Sequence, residues 1–372
     1  MKIIYLSRSM LPSKAANSVQ VMKMCQALVK AGHSLKLVAG AAESPSLDYL
    51  FDYYGVKERF EIMLLKGRTE TAAGLLTYLA KFYFWIKNTD RPDIFYGRDL
   101  FTLTLASFTH KVPFYYEAHK PPSNPVYFLL NLLLIKNKRL VKLVVITNSL
   151  KVEYLAKFPG LPGEKVLVAP DGADIPKHSG PQPAGQCKRD KTVIGYVGHL
   201  YPGRGIDLIL TLAKELPQFI FRIVGGNEKD IAYWRNICRG MDNIEFTGFI
   251  PPKDLARVYS GIDLVLAPYQ SRVSIPGGGD TSRWMSPLKI FEYMAFAKPI
   301  IAGDLPALRE VLTDGVNAIL CRPDNTADWA GAIMLLEQDK SLRKQIAANA
   351  FKDLTDNYTW DKRAARILGQ DK

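Results

Sequence analysis

The feature that most restricts the fold of this chain is an alternation of short aliphatic runs and helical patterns, repeated in two series. In the first, residues 2–6 and 35–39 read as strands flanking an amphipathic helix from about Ser18 to Ala31, which Gly32 stops. Glu61–Leu65, Asp93–Tyr96, Phe114–Glu117, Leu143–Thr147 and Lys165–Ala169 read as further strands. Ala72–Lys87 reads as a helix with an aromatic face. The second series opens at Thr192–Gly198. Strands at Phe219–Val224, Ile244–Phe246 and Leu264–Pro268 then alternate with helices at Asp207–Glu215, Lys229–Arg239 and Lys253–Ser260. Further on come a helix at Pro306–Leu312, a strand at Ala318–Cys321 and helices at Thr326–Glu337 and Ser341–Leu354. Near-continuous aliphatic strands joined by helices belong to parallel sheets covered on both faces. Ile175 to Asp190, with three prolines and two glycines, reads as a linker. The expected fold class is therefore α/β, with two Rossmann-like doubly wound domains. The first spans residues 1–175, the linker 176–190 and the second domain 191–355, and a last helix lies within 356–372.

Size and composition agree with two cores: 372 residues and 41.7 kDa exceed what one core usually organises. Cys25, Cys187, Cys238 and Cys321 show no pair spacing, which argues for a reducing compartment and against a disulfide framework or zinc site. Met1–Leu6 followed by Ser7-Arg8-Ser9 reads as a strand and its loop rather than a secretory leader, so a cytoplasmic protein is expected. The formal charge is +13, with 23 Lys/Arg against 14 Asp/Glu in residues 1–175 and 26 against 22 in the remainder. That excess suits an anionic partner such as nucleotide phosphates or anionic lipid; a plain solubility device is the alternative. No basic–aromatic pattern of a nucleic-acid module is present, and no cluster with metal-ligand spacing. Pro125 to Val141 reads as a helix, apolar on most sides with a basic tail at Lys136, Lys138, Arg139 and Lys142. It is either a core helix or a segment lying on an anionic membrane, peripheral to the inner face.

Several strand exits carry chemistry. Gly198-His199-Leu200-Tyr201-Pro202-Gly203-Arg204-Gly205 joins a strand to a helix through a glycine-rich turn with one cation, a pattern suited to a phosphate. It is neither a Walker motif nor a Gly-x-Gly-x-x-Gly fingerprint, and a simple tight turn is the alternative. Gly225-Gly226 closes another strand. Gly277 to Gly279 form the expected hinge of a loop, Ser271 to Arg283, that also holds Asp280. Ser286-Pro287-Leu288-Lys289 opens a helix whose Leu288, Phe291 and Ala295 mark an apolar face, with Glu292 inside it. By this pattern alone Glu292 is either solvated or functional. In the first half, Glu117-Ala118-His119 leaves a buried strand, where open α/β sheets hold ligands. Lys14, Asn17 and Ser18 sit in a polar loop expected from Ser7 to Ser18.

These motifs, in order, resemble the family 4 retaining glycosyltransferases. The resemblance rests on Gly198-His199-Leu200…Arg204-Gly205, Val224-Gly225-Gly226, Asn243–Gly248, Pro287…Glu292-Tyr293-Met294-Ala295…Pro299–Ala302, Glu310, Gly315–Ala318 and Pro323-Asp324-Asn325. Ala31-Gly32-His33, Asn148-Ser149 and Pro170–Asp174 match in the first half. The resemblance implies a GT-B fold, with a first domain for the acceptor, a second for the nucleotide-sugar, and a last helix returning to the first domain. It implies no metal cofactor. Glu292 falls at the second Glu of the family's Glu-x7-Glu motif, which holds ribose hydroxyls; Arg204 falls at the cation that steadies the diphosphate, and His119 at the histidine near the transferred sugar. Three positions depart from the pattern. Trp284 occupies the place of the first motif Glu, leaving Asp280 as a substitute. His199 stands where Arg is usual, and Lys14–Ser18 replaces the N-terminal glycine pair.

The expected activity is transfer of a sugar from a UDP-, GDP- or ADP-sugar to a glycan or lipid-linked acceptor in cell-surface polysaccharide assembly. A nucleotide-sugar epimerase or hydrolase on the same fold is one alternative; a non-catalytic sugar-nucleotide-binding subunit is another. Glu292, Arg204 and His119 are the expected catalytic residues. The donor residues are Gly198, His199, Gly203, Gly205, Gly225, Gly226, Ser286, Pro287, Leu288, Lys289 and Glu292. The acceptor or sugar-facing residues are Lys14, Asn17, Ser18, Glu117 and Asp280.

Overall fold

A computed structural model describes residues 1–67, 71–176, 191–274 and 279–370. The chain divides into two compact units, Met1–Pro170 with the segment from Trp360 onward, and Asp171–Thr359. The division falls at Pro170 rather than in the expected linker because Asp171–Asp174 is tied into the second unit. The Asp171 N–H donates to Ser286 Oγ (3.0 Å) and the Ala173 N–H to the Tyr358 carbonyl (3.1 Å). Of the expected linker, 177–190 lies outside the described residues.

In the first unit the elements are β1 (Lys2–Met10), α1 (Ala16–Lys30), β2 (Ser34–Ala41), α2 (Leu47–Tyr53), β3 (Glu61–Lys66), α3 (Ala72–Lys87) and β4 (Ile94–Gly97). There follow α4 (Leu100–Thr109), β5 (Phe114–Ala118), α5 (Pro125–Lys136), β6 (Leu140–Val145), α6 (Asn148–Lys157) and β7 (Val166–Val168). The strands form one parallel sheet in the order β3-β2-β1-β4-β5-β6-β7. The order reverses at β1, so the loops after β1 and β4 diverge at a switch point. β1 reaches Met10, which shortens the expected polar loop to Leu11–Ala15. The expected helix from Pro125 ends at Lys136, because Asn137 caps it and Leu140 already pairs with Phe114 in the sheet.

The second unit holds β8 (Val193–Val197), α7 (Ile206–Glu215), β9 (Ile220–Val224), α8 (Glu228–Ile237), β10 (Ile244–Gly248), α9 (Leu255–Ser260) and β11 (Leu264–Ala267). α10 (Leu288–Ala295), β12 (Ile300–Gly303), β13 (Ile319–Cys321), α11 (Thr326–Gln338) and α12 (Lys340–Asp353) complete it. Its parallel sheet runs β10-β9-β8-β11-β12-β13, between an apolar layer that includes Ile290, Phe291 and Met294 and another built on Ile209, Leu212, Trp329 and Ile333. The helix expected at Pro306–Leu312 is a series of turns instead.

The last helix, α13 (Trp360–Leu368), belongs to the first unit. Trp360, Arg363, Ala364 and Ile367 are its buried residues, at the spacing of one helical face. That face packs against α1, where Arg363 Nη1 lies 3.2 Å from Met24 Sδ and Lys30 pairs with Asp361.

Candidate functional site

Each unit carries its own cluster of polar groups at the C-terminal edge of its sheet. In the second unit, β8 ends at Val197 and the chain turns through Gly198 with φ +152°. A Cβ at Gly198 would meet Lys289 Nζ at 2.6 Å, and one at Gly225 (φ +114°) would meet the Gly198 carbonyl at 2.1 Å. Close approach of backbone thus requires glycine at 225, while at 198 the neighbour is the end of the Lys289 side chain. Gly203, Gly205 and Gly226 complete the same surface around these turns, and Gly205 is the N-cap of α7 in the left-handed region.

Lys289, in the first turn of α10, is buried between aromatic rings. Its Nζ lies 3.7 Å from the Tyr196 ring centroid and 5.2 Å from that of Tyr269. Among the described residues this ammonium has no hydrogen-bond partner. Burial, and then the positive charge of Arg204, push its pKa well below the ordinary lysine value, while Glu292 opposes them. Arg204 approaches the same Tyr269 ring, with its guanidinium carbon 5.1 Å from the centroid. Two cations thus approach one buried tyrosine beside the glycine turns. An ammonium and a guanidinium held together repel, and a polyanion between them would relieve both the repulsion and the desolvation.

Glu292 lies on the partly exposed stripe of α10 with Leu288, four residues before it, whereas Lys289, Ile290, Phe291, Tyr293, Met294 and Ala295 are buried. The sequence pattern had Leu288 on the buried face. The helix is instead enclosed on nearly every side, and this single stripe is what it shows. Tyr259 Oη donates to Glu292 Oε2 (3.2 Å), fixing the carboxylate from below. Pro287 caps α10, and Ser286 Oγ accepts the Asp171 N–H. The His199 ring stacks on Tyr201 at 4.9 Å, and its carbonyl accepts from Tyr196 Oη at 2.5 Å.

Asp280 is tied to its own loop through one carboxylate oxygen. Its Oδ1 accepts the Val273 and Ser282 N–H groups, each at 2.9 Å, which closes the loop on itself. Burial would raise its pKa, and these backbone donors lower it instead. Of the expected hinge, Gly277 and Gly278 lie outside the described residues; Gly279 has φ +104°.

In the first unit, Glu117 closes β5 and is the centre of a buried polar network. Its carboxylate accepts from Gln20 Nε2 (2.7 Å), His119 Nε2 (2.6 Å), Arg363 Nη2 (3.0 Å) and Tyr96 Oη. Arg98 Nη1 donates in turn to Gln20 Oε1 (2.6 Å). Burial would raise the Glu117 pKa, yet Arg363 and His119 hold it well below the carboxylate range. The glutamate therefore faces inward, with a fully buried side chain, and cannot touch an acceptor as the sequence suggested. His119 is the partly exposed end of this network, its side chain 21% accessible. Because an ionised carboxylate only accepts, Nε2 carries a proton.

Ser18 is likewise removed from any acceptor role. It is buried, and its hydroxyl donates to the Ala15 and Ser13 carbonyls (2.7 and 3.1 Å) at the start of α1. Lys14 and Asn17, on either side of that start, are exposed. Arg363 and Tyr259 escaped the sequence reading. A lone arginine on an amphipathic terminal helix gives no local signal, and its partner lies 246 residues away.

Residues 182–353 match the family model of glycosyl transferases group 1. The chain is 25% identical over 247 residues to a D-inositol 3-phosphate glycosyltransferase of Stackebrandtia nassauensis, a match covering 61% of this chain and 53% of that protein. It is 27% identical over 168 residues to the alpha-D-kanosaminyltransferase of Streptomyces kanamyceticus, covering 43% and 40% respectively. The matches to the first curated relatives span only about half of those relatives' length. HepE of Anabaena, solved with UDP and glucose, superposes with a TM-score of 0.75 at 17% identity, over 99% of this chain and 98% of that one. Its complex with UDP-glucose gives 0.73 at 18%, over the whole of both chains. The paired Rossmann-like domains are those of the GT-B fold.

Proposed function

We propose, from the match of residues 182–353 to the family model of glycosyl transferases group 1, that the chain is a retaining, metal-independent glycosyltransferase. The observation that carries the reading is the pair Lys289 and Arg204, both beside the Tyr269 ring, at the glycine turns that end β8 and β9. Such a pair fits the diphosphate of a nucleotide-sugar. As the bond from the sugar to the β-phosphate breaks, negative charge grows on the departing oxygen, so Arg204, and Lys289 once an adjacent diphosphate restores its proton, favour the transition state over the ground state. Glu292, oriented by Tyr259, accepts the ribose hydroxyls. His119 is the residue we place beside the transferred sugar. Its Nε2 is committed to Glu117, which orients the ring.

The relatives narrow the donor. HepE of Anabaena was solved with UDP and with UDP-glucose, so a UDP-sugar is the first donor to test. The proposed acceptor is a glycan or lipid-linked intermediate of cell-surface polysaccharide assembly, which would bring the reaction to a membrane face. Two features of the sequence, Trp284 in place of a motif carboxylate and His199 in place of an arginine, favour a second reading as a sugar-nucleotide-binding partner subunit. Lys289 answers the latter, because its ammonium adds a second cation at the Gly198 turn.

The test is incubation with UDP-, GDP- and ADP-sugars, alone and with lipid-linked and free glycan acceptors, following nucleotide release. Acceptor-dependent release with the anomeric configuration kept is the expected result. Release of free sugar without an acceptor would make the chain a hydrolase or epimerase. Tight nucleotide binding with no release under any acceptor would make it the partner subunit.

A further inference from the structure

Helices α3, α4 and α5 lie side by side over the first sheet: the ring of Phe101 in α4 meets Tyr127 in α5 at 5.6 Å, and His110 after α4 bonds the Ile86 carbonyl of α3 at 2.8 Å. Between them these helices contain three lysines, Lys81, Lys87 and Lys136, and no aspartate or glutamate. Apart from Thr77, Lys81, Lys87 and Lys136, their exposed side chains are apolar. α3 exposes Leu76, Tyr83 and Phe84, α4 exposes Phe108, and α5 exposes Val126, Leu129 and Leu133, with accessibilities from 38% at Leu133 to 68% at Leu76. In α3 and α5 these residues recur at the spacing of a single helical stripe, so they form rows rather than scattered positions. An outer helix face is normally the polar one; here it is apolar on three neighbours at once.

The three helices run to the same edge of the sheet, and that edge is basic. Arg91 after α3 donates to the Lys111 carbonyl after α4 (2.9 Å), the Pro113 carbonyl accepts from Phe95 (3.1 Å), and the Arg139 carbonyl after α5 accepts from Phe114 (3.0 Å). Lys87, Arg91, Lys111, Lys136, Lys138 and Arg139 therefore share one rim beside the apolar rows. The acidic groups in the loops that leave α3, α4 and α5, Asp90 and Asp93, are engaged by the side chain and backbone of Lys2.

We propose that the α3–α4–α5 face docks on an anionic phospholipid bilayer, its apolar rows entering the headgroup–acyl boundary while the basic rim meets lipid phosphates. Apolar burial supplies the residence and the cations select the lipid. Among the described residues no helix is long and apolar enough to cross a membrane, so the attachment is peripheral in geometry. The inference rests on this face alone and is independent of the proposed reaction.

Vesicle flotation of the full chain tests it, with phosphatidylcholine vesicles against vesicles in which part of that lipid is replaced by phosphatidylglycerol. The protein is expected to float with the anionic vesicles and to release as salt rises, since the Debye length falls to about 8 Å at physiological ionic strength. A combined Leu76→Ser, Phe84→Ser, Phe108→Ser and Leu129→Ser variant, checked for an unchanged melting curve, should lose flotation. Lys111→Gln, Lys138→Gln and Arg139→Gln should each weaken anionic binding roughly five-fold and leave binding to neutral vesicles unchanged. Absence of flotation at low salt overturns the proposal. So does a concentration-dependent dimer, seen by light scattering and dissolved by the serine variant, which would make the face a self-association surface.

Discussion

His119 and Glu117 stand two residues apart where β5 leaves the first sheet, and Nε2 of the histidine lies 2.6 Å from Oε1 of the glutamate. The glutamate in turn is held by Arg363 from the terminal helix, so the orientation of His119 depends on a residue near the far end of the chain. Arg363 is buried with Glu117 and also donates to the Pro170 and Ala169 carbonyls at 2.9 and 3.3 Å. Breaking one partner of such a pair strands the other. Arg363→Met should therefore destabilise the protein by about 3–5 kcal/mol, and the Arg363→Met, Glu117→Leu double variant by clearly less than the sum of the single losses. Urea midpoints of the four proteins measure the coupling. Additive losses would mean that the two groups do not depend on each other.

The same pair sets a pH dependence with a definite sign. The folded pKa of Glu117 is depressed well below its ordinary 4.5, so the unfolded chain binds the proton more readily. The stabilisation is complete above about 4.5 and fades as pH falls through the folded value. Glu117→Gln should flatten the acid limb of a stability-against-pH curve and leave its alkaline limb alone. An unaltered acid limb would assign acid unfolding to other carboxylates.

His119→Ala separates roles within the first unit. If the ring acts on the reacting sugar, turnover should fall about 100-fold or more while affinity for UDP alone stays within about two-fold. Isothermal titration with UDP and initial rates with a responsive UDP-sugar provide the two numbers. Equal losses in both would make His119 a structural part of the Glu117 network.

The parallel strands were legible because strands buried on both faces are almost uninterrupted aliphatic runs, as in Val193–Val197 and Ile300–Gly303. Helix α4 was not. Its Leu-Phe-Thr-Leu-Thr-Leu run has no charged face to set a period, and its threonines are satisfied within the helix, as when Thr104 donates to the Leu100 carbonyl at 2.7 Å. The glycine turns around Arg204 showed in the sequence because close backbone approach leaves a residue-type signature, whereas Glu292 stood out only through the family resemblance. Glu117 was placed correctly at a strand exit and given the wrong direction, because nothing near it reveals the partners Gln20 and Arg363. Lys289 was picked out only as part of a motif. Its burial follows from the enclosure of α10 on nearly all sides, a property of the tertiary packing.

Lys289 should cost stability and supply affinity. Its folded pKa lies well below 10.5, so between the two values the unfolded state holds a proton that the folded state gives up, and stability rises with pH across that window. Lys289→Met keeps the stem's packing and removes the buried amine. At neutral pH it should stabilise the free protein by about 1–3 kcal/mol and weaken UDP binding roughly 10- to 100-fold. Thermal melts with and without UDP read both effects at once. A variant that loses stability while keeping affinity would place the ammonium in the fold rather than at the diphosphate.

Glu292 can be tested by removing either half of its proposed contact. The carboxylate rests on Tyr259, on the one partly exposed stripe of α10. Glu292→Ala should lower UDP affinity about 10-fold or more, because hydrogen bonds to a charged acceptor contribute about 1.5–3 kcal/mol. It should leave the melting temperature nearly unchanged, apart from the cost of the Tyr259 hydroxyl losing its acceptor. The decisive ligand is 2′,3′-dideoxyuridine diphosphate, which carries the base and both phosphates without the ribose hydroxyls. Against the parent protein it should bind about as weakly as UDP binds Glu292→Ala, and against that variant the two ligands should be equal. If the variant still prefers UDP by the parent's full margin, the hydroxyls are held by another group, and Glu292 serves the fold through Tyr259.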